Sequence, residues 1–233
     1  MSPTPQRLST DSLHGAVVVF DLDGTLVDTA PDLIGSLNVL LEEQGLPLCS
    51  VEAVHHLVGR GSRAMIERGF AEAGRALTQA EAPGLVARFI AIYLARIAEE
   101  SRPFPGCLDA LDVLAAAGAR LAVCTNKRTD LSVALLKALG IDHRFAAIVG
   151  ADSAPAAKPD PRHILHTVEA AGGGRGLMVG DSNNDIDAAR AAGLPCVAVT
   201  FGYTEIPAAE LGADVVIDHY NLLPEAVQRL LAG

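Results

Sequence analysis

The sequence predicts an α/β protein in which a doubly wound parallel sheet carries an inserted, all-helical segment. Six short apolar runs are rich in β-branched residues and lack polar alternation, which is typical of parallel strands buried on both faces. Helical patterns separate most of these runs, and strands that alternate with helices indicate βαβ units. The runs lie at residues 16–20, 121–124, 147–149, 177–179, 197–200 and 214–217.

The predicted helices between these strands have recognisable starts and stops. Their apolar side chains recur at three- to four-residue spacing, and a glycine follows each helix. Glycine ends helices because it adopts the left-handed backbone at little cost. Asp160 followed by Pro161 predicts another helix start, with the aspartate as N-cap. The helices cover residues 109–117, 131–139 and 186–192, and the glycines are Gly118, Gly140 and Gly193.

One connection is much longer than the others and predicts a separate helical segment. Consecutive strands elsewhere lie roughly 20–30 residues apart, as βαβ units require, whereas about 100 residues separate the first two. Within that gap, Thr29 and Asp32 resemble a capping box at the start of a helix. We therefore expect a helical cap domain at residues 29–101, an α/β core domain at 14–28 plus 102–233, and a loose N-terminal tail at 1–13.

Composition restricts the class of partner. The chain has 233 residues with 28 acidic and 18 basic side chains, a net charge of −10. This balance argues against duplex nucleic acid or an anionic membrane as partner, because both attract a basic surface. The four cysteines lack zinc-type spacing, and neither a signal-peptide pattern nor a membrane-length apolar run is present. We expect a soluble, cytoplasmic protein.

The most informative motif follows the first predicted strand and reads DLDGTLVD over residues 21–28. Asp21 and Asp23 stand where the strand gives way to a loop, and ligands of open α/β sheets bind there. One carboxylate can act as a nucleophile and the other as a general acid and base. Gly24 lets the backbone approach a phosphate. The alternative is that these are ordinary turn residues.

Two further loops carry candidate phosphate ligands, each weak by itself. Thr125 ends the second strand with a hydroxyl and an N–H that can hold a phosphate oxygen, although an N-cap role for the following helix is favoured when this motif is taken alone. Lys158 precedes a proline-rich helix start and is one of only three lysines in the chain. Its ammonium can bind a phosphate and stabilise developing charge, or it can be a solvated loop side chain.

The last motif follows the fourth strand. Asp181 can complete a Mg²⁺ site built from oxygen ligands. Asp185 forms a capping-box pattern with Ser182, so a structural role explains it as well as a functional one. All these motifs follow strands of one parallel sheet, so their side chains converge at one edge. That convergence is stronger support for a catalytic cleft than any single residue.

On these residues the chain resembles the haloacid dehalogenase superfamily. The motif at 21–28, the strand end at Thr125, Lys158 with its proline and the GDSNND run at 180–185 match its four motifs in order. The insert lies where members with a helical cap between the first two motifs carry it. Several stretches are further similar to phosphoglycolate phosphatase-type members: LVDTAPDL, VGRGSRAMIERGF, GDSNNDIDAARAAG and VTFGYT.

The resemblance implies a Mg²⁺-dependent phosphatase of Rossmann-type fold that works through an aspartyl-phosphate. Asp21 would attack phosphorus, and Asp23 would protonate the leaving group and later deprotonate water. Mg²⁺ would be held by Asp21, the Asp23 carbonyl and Asp181, and would offset charge on nucleophile and phosphate. A dehalogenase is disfavoured, because it needs neither a second aspartate nor Mg²⁺.

The resemblance also implies which residues surround the phosphate. Thr125 and Lys158 would hold phosphoryl oxygens, with Gly24 and Asn126 lining the same site. Asp185 would orient Lys158 or a metal-bound water without contacting the substrate itself.

The predicted cap would contact the leaving group and exclude water. Gly59 and Gly61 would form a loop that reaches the active site. An arginine such as Arg63 can bind a carboxylate through two hydrogen bonds, which favours a small phosphorylated acid such as 2-phosphoglycolate. A solvated basic helix face explains the arginines equally well. The candidates are Arg60, Arg63, Arg68 and Arg75.

Hydrolysis of a small phosphorylated metabolite by a monomer or homodimer is the leading hypothesis, and two alternatives stay open. A sugar phosphomutase shares the motifs and the cap position. A non-catalytic phospho-receiver also combines an aspartate and Mg²⁺ with a threonine and a lysine. The receiver is disfavoured by Asp23 and the large insert, since a receiver must keep its phosphate.

Overall fold

The structure is a computed structural model that describes residues 12–50, 61–204 and 206–232. Most of the predicted tail, together with Gly59 and Arg60 of the predicted cap, therefore lies outside the described residues. The strands are β1 (Ala16–Phe20), β2 (Val27–Asp28), β3 (Arg102–Pro103), β4 (Arg120–Thr125), β5 (Ala147–Gly150), β6 (Arg175–Gly180), β7 (Cys196–Val199) and β8 (Val215–Ile217).

Among the described residues, six strands form one parallel sheet in the order β5-β4-β1-β6-β7-β8. The central strand β1 is hydrogen bonded to β4 on one side and to β6 on the other. The chain fills one half of the sheet with β4 and β5 and then crosses to β6, so the winding reverses beside β1. Open α/β sheets bind ligands beyond the carboxyl ends of strands at such a reversal. The predicted doubly wound sheet is confirmed.

Helices cover both faces of the sheet, and the side chains of β1 are buried on each face. Val18 and Phe20 pack in a cluster with the helices Cys107–Ala116 and Leu223–Leu231, whereas Val17 and Val19 pack in another with the helices Pro161–Ala170 and Asn183–Ala191. The helices are α1 (Ala30–Glu43), α2 (Ser62–Glu72), α3 (Ala82–Ala95), α4 (Cys107–Ala116), α5 (Thr129–Ala138), α6 (Pro161–Ala170), α7 (Asn183–Ala191) and α8 (Leu223–Leu231).

The predicted helices are present but begin earlier than the apolar pattern indicated. Helix α5 starts at Thr129 rather than residue 131, and α7 starts at Asn183 rather than 186, because a polar first turn carries no apolar periodicity. The predicted N-cap of α6 is confirmed, since the Asp160 carboxylate accepts a hydrogen bond from the Arg162 N–H at 2.9 Å.

Helices α1, α2 and α3 of the insert pack around a second hydrophobic cluster. Leu37, Phe70 and Phe89 are among its buried members, one from each helix. Leu131 of α5 and Tyr203, which follows β7, pack into the same cluster. The insert is therefore joined to the edge of the sheet by apolar contact. In the part of the chain that the structure describes, none of these helices is long and apolar enough to cross a membrane.

The insert leaves and re-enters the sheet at a single place. The short strands β2 and β3 pair antiparallel, with Asp28 opposite Arg102. The carboxylate of Asp32, fully buried in α1, accepts hydrogen bonds from the backbone N–H groups of Glu100 and Ser101 and from the Ser101 hydroxyl. These bonds fix the returning chain beside the departing one.

The predicted capping box at the start of α1 is wrong. Among the described contacts, the Thr29 side chain caps no helical N–H, and its hydroxyl donates to the Asp23 carboxylate at 2.8 Å. Asp32 bonds to the chain that returns from the insert instead of to the N-cap residue. Asp32 bonds to Ser101, 69 positions later in the chain, whereas Thr29 bonds to Asp23, six positions earlier and outside the helix. Neither partner belongs to the capping pattern.

Candidate active site

The predicted site residues meet at the carboxyl edge of the sheet. Asp21 follows β1, Thr125 ends β4 and Asp181 follows β6. Lys158 lies in the loop after β5, and Asp185 lies in the first turn of α7. All five are buried. Because the strands are parallel, the side chains that follow them lie at one edge of the sheet. The order of the motifs predicts this clustering of side chains.

Three carboxylates form a cluster at this edge. One oxygen each of Asp21, Asp181 and Asp185 lies within 4.8 Å of the others. Burial, partly opposed by Lys158, raises the pKa of Asp21 to about 6. Burial together with the charges of Asp185 and Asp21 raises the pKa of Asp181 to about 8. Buried carboxylates that repel one another match what Mg²⁺ requires, because it binds oxygen ligands and offsets their charge.

Asp181 is held in place from two sides. Its carboxylate accepts a hydrogen bond from the Thr25 hydroxyl at 2.8 Å and another from the Tyr203 N–H at 2.8 Å. A Cβ added at Gly24 would lie 2.6 Å from an Asp181 oxygen, so the loop after β1 passes too close for any larger residue. The sequence analysis selected Gly24 but missed Thr25, although that threonine stands inside the first motif.

Lys158 joins the nucleophile candidate to Asp185. Its ammonium lies 3.0 Å from Asp21 Oδ1 and 2.6 Å from Asp185 Oδ1, and it donates to the Cys124 carbonyl at 2.7 Å. Burial lowers the pKa of Lys158, but the charges of Asp185 and Asp21 outweigh it and raise that pKa above its ordinary value. Lys158 is therefore a permanent cation beside Asp21, and the solvated-loop alternative is wrong.

Asp185 forms the predicted capping box and also contacts Lys158. One oxygen bonds to Lys158, while the other accepts from the Ser182 hydroxyl at 2.7 Å and from the Ser182 N–H at 3.0 Å. The capping box is therefore formed. The structural cap fixes the carboxylate that positions Lys158.

Thr125 and Asn126 serve the loops around the site. The Thr125 hydroxyl accepts from the Lys127 N–H at 3.2 Å. The Asn126 side chain bonds to the backbone of Lys158 in both directions, at 2.9 and 3.0 Å. Asn126 thus fixes the Lys158 loop, which is a role that the sequence analysis did not assign to it.

Asp23 lies beside the acidic cluster and has a cationic partner of its own. Both of its oxygens are 3.0 Å from the Lys127 ammonium, and one also accepts from the Thr29 hydroxyl. Lys127 is one of the three lysines of the chain and was not among the predicted site residues. No local pattern links it to Asp23, which is 104 residues away.

Tyr203 connects the metal-site candidate to the insert, and sequence reasoning missed it. Its hydroxyl donates to the Asp28 carboxylate at 2.7 Å and accepts from the N–H groups of Thr29 and Ala30. Asp28 also accepts weakly from Ala30, at 3.3 Å. One tyrosine therefore joins Asp28 to the first residues of the insert.

A cavity of about 310 Å³ lies between the insert and the sheet edge. Asp23 and Asn126 line it from the sheet edge, and Arg63 of α2 lines it together with Gly61, which precedes that helix. The walls are otherwise largely apolar, from Leu33, Met65, Val86, Phe89, Ile90 and Leu131. A small molecule in contact with Asp23 has room here.

The arginines of the insert are distributed mainly toward solvent. Arg63 bonds to Glu67 one turn later, with about half of its side chain exposed, although it reaches the cavity rim. Arg68 and Arg75 pair with Glu72 and Glu81. For those two the solvated-face alternative is favoured, and Arg60 lies outside the described residues.

Comparison with known proteins gives consistent matches over nearly the whole chain. The family model described as haloacid dehalogenase-like hydrolase matches residues 18–199. A phosphoglycolate phosphatase of Caulobacter vibrioides is 56% identical over 95% of this chain and 94% of its own length. One from Agrobacterium fabrum is 51% identical over 91% of each. The crystal structure of a predicted phosphoglycolate phosphatase from Haemophilus somnus 129PT superposes with a TM-score of 0.84 at 35% identity, covering 91% of this chain and 97% of that one.

Proposed function

The chain belongs to the haloacid dehalogenase-like hydrolase family and is a phosphoric monoester hydrolase, and from that premise we propose that it hydrolyses 2-phosphoglycolate to glycolate and inorganic phosphate. The observation that carries the chemistry is the Asp21–Asp181–Asp185 cluster with Lys158 bonded into it. The names of the relatives, several of which exceed 45% identity, support the choice of substrate.

Asp21 is the proposed nucleophile. Its carboxylate oxygen attacks phosphorus and forms an aspartyl-phosphate, while the bond between phosphorus and the ester oxygen breaks. The Leu22 N–H donates to Asp21 Oδ1 at 2.7 Å, and Lys158 approaches the same oxygen at 3.0 Å. These two contacts fix the direction of the carboxylate, so that the remaining oxygen is available for attack.

Asp23 is the proposed general acid and base. It donates a proton to the departing ester oxygen and then takes one from the water that attacks the aspartyl-phosphate. That second attack breaks the bond between phosphorus and Asp21 and releases inorganic phosphate. The Thr29 hydroxyl and the Lys127 ammonium hold the Asp23 carboxylate at the edge of the cavity, where the leaving group would stand.

The acidic cluster fits a resident Mg²⁺, which Asp21 and Asp181 would hold together with the backbone carbonyl of Asp23. When bound, the ion supplies charge neutralisation for the phosphate and for the carboxylates. Thr25 and Tyr203 keep Asp181 oriented for this purpose through the bonds described above. Lys158 and Thr125 add a cation and a hydroxyl on the phosphate side.

The insert at residues 29–101 is the proposed cap domain. Its helices α1, α2 and α3 cover the cavity with apolar side chains, and Asp23 lies on the opposite, sheet side. An apolar cover of this kind excludes water from the reacting phosphate and limits the size of the leaving group.

A panel of phosphomonoesters assayed with Mg²⁺ tests this proposal. We expect 2-phosphoglycolate to have the highest kcat/KM among the small phosphorylated acids, alcohols and sugars, with stoichiometric release of inorganic phosphate. Isomerisation of a sugar phosphate without net phosphate release would instead indicate a mutase. Stable phosphorylation without turnover of any ester would indicate a phospho-receiver and contradict the proposal.

A further inference from the structure

Lys127 is a buried cation that lies between the sheet edge and the helices of the insert. Its side chain is 7% exposed, and its ammonium lies 3.0 Å from both oxygens of Asp23. The same ammonium lies 4.7 Å from the centroid of the Tyr93 ring. A lysine this buried needs anionic or aromatic partners, and here one partner comes from each side of the cavity.

Tyr93 belongs to α3 and lines the cavity opposite Asp23. The residue is buried, and its hydroxyl makes no hydrogen bond of good geometry with the described residues. Buried tyrosine hydroxyls normally have a partner. The Tyr93 hydroxyl therefore has no acceptor for its proton among the described residues, and it stands next to the Lys127 ammonium in a largely apolar cavity.

The other cations of the described cavity wall are less suited to hold a buried anion. Arg63 and Arg128 are 53% and 54% exposed, and they bond to Glu67 and Asp130 respectively. Exposed pairs of this kind are weakened by water and salt. Lys127 acts across an apolar space, where the attraction to an anion is stronger.

We propose that Lys127 and Tyr93 form a carboxylate-binding subsite that selects phosphorylated acids. This inference rests on the proposed function and identifies which residues recognise the acid. Asp23 would protonate the ester oxygen, and in 2-phosphoglycolate a single methylene separates that oxygen from the carboxylate. The carboxylate therefore falls beside Lys127, which already contacts Asp23. The ammonium and the tyrosine hydroxyl each donate to it.

The subsite makes a prediction about substrate preference. The probe is the ratio of kcat/KM for 2-phosphoglycolate to kcat/KM for 2-hydroxyethyl phosphate, which replaces the carboxylate by an alcohol. We expect Lys127→Met to reduce this ratio by about tenfold or more, and Tyr93→Phe to reduce it by about threefold or more. Inhibition by glycolate should weaken in parallel.

Lys137→Met is the matched control, because it makes the same change at an exposed position of α5 and should leave the ratio unchanged. Equal losses for both substrates in Lys127→Met would show that Lys127 acts only through Asp23 and would overturn the subsite. If Lys127→Met does not fold, Tyr93→Phe decides, since it removes a hydroxyl that has no acceptor among the described residues and leaves the lysine in place. Wild-type enzyme that shows no preference for 2-phosphoglycolate contradicts the proposed substrate, whereas a preference that both variants retain overturns this inference alone.

Discussion

The Lys158 ammonium lies 2.6 Å from the Asp185 carboxylate, with both side chains buried at the carboxyl edge of the sheet. Removing one partner of a buried pair leaves the other charge without compensation. We expect Asp185→Ala to lower the free energy of unfolding by about 3–5 kcal/mol, as measured by urea denaturation. Asp130→Ala removes an exposed partner of Arg128 and should cost less than about 1 kcal/mol. Similar losses in the two variants would contradict the structural importance of the buried pair.

Asp21→Asn tests the nucleophile. The amide keeps the shape of the side chain but is not a nucleophile, so turnover should fall by at least about 10³-fold. Stability should be retained or increased, because a buried carboxyl whose pKa burial raises to about 6 is replaced by a neutral group. Asp187→Asn, at an exposed position of α7, is the control and should leave kcat and the thermal midpoint unchanged. Substantial residual activity in Asp21→Asn would assign the nucleophile elsewhere.

If Mg²⁺ binds at the acidic cluster as proposed, the stabilisation of the protein by Mg²⁺ should depend on pH. Burial and Asp185 raise the pKa of Asp181 to about 8 in the metal-free protein, above the ordinary value of 3.8. The folded state therefore keeps a proton that the unfolded state has lost, and this contribution to stability disappears as the pH rises through 8. Mg²⁺ competes with that proton. We expect the increase in thermal midpoint caused by Mg²⁺ to be larger at pH 8.5 than at pH 6.

Metal removal gives the corresponding activity test. EDTA should abolish phosphate release, and added Mg²⁺ should restore it. Asp181→Asn should lose most of the thermal response to Mg²⁺, while Asp187→Asn keeps it. An unchanged response in Asp181→Asn would place the ion outside the acidic cluster.

Gly24 tests how closely the first loop must approach Asp181. A Cβ there would lie 2.6 Å from an Asp181 oxygen and 2.7 Å from the Tyr203 ring, at a φ of +82°. We expect Gly24→Ala to reduce kcat/KM by about tenfold or more through the displaced carboxylate. Gly140→Ala has a similar φ of +71°, but its Cβ would meet no described atom within 4 Å. It should lose stability of about 1 kcal/mol and no activity. Equal activity in the two variants would argue against this packing constraint.

The sheet was predictable because buried parallel strands leave a local mark. The run at 177–179 lies inside the observed strand Arg175–Gly180, and the strand ends carry the motif residues. Asp21 and Asp181 were identified for the same reason: their position after a strand is a property of the neighbouring sequence. The ends of helices were less accurate, since the polar first turn of α7 gives no apolar signal.

The missed contacts connect residues far apart in the chain. Tyr203 reaches Asp28 across 175 positions, and Lys127 reaches Asp23 across 104. Such pairs depend on the path of the whole chain, and a single sequence does not record it. Thr29 was misassigned for a different reason, because its hydroxyl bonds to Asp23, six residues earlier in the first motif, instead of to the end of the helix.

The antiparallel pairing of Asp28 with Arg102 has an evolutionary consequence. The chain enters the insert at β2 and leaves it at β3, the strand paired with β2. The length and fold of what lies between therefore do not disturb the register of β1 against β4. Any inserted segment whose two ends meet at this strand pair can replace the present one without a change in the sheet. The sheet can thus keep its phosphate chemistry unchanged while new substrate preferences arise by replacement of the intervening helices.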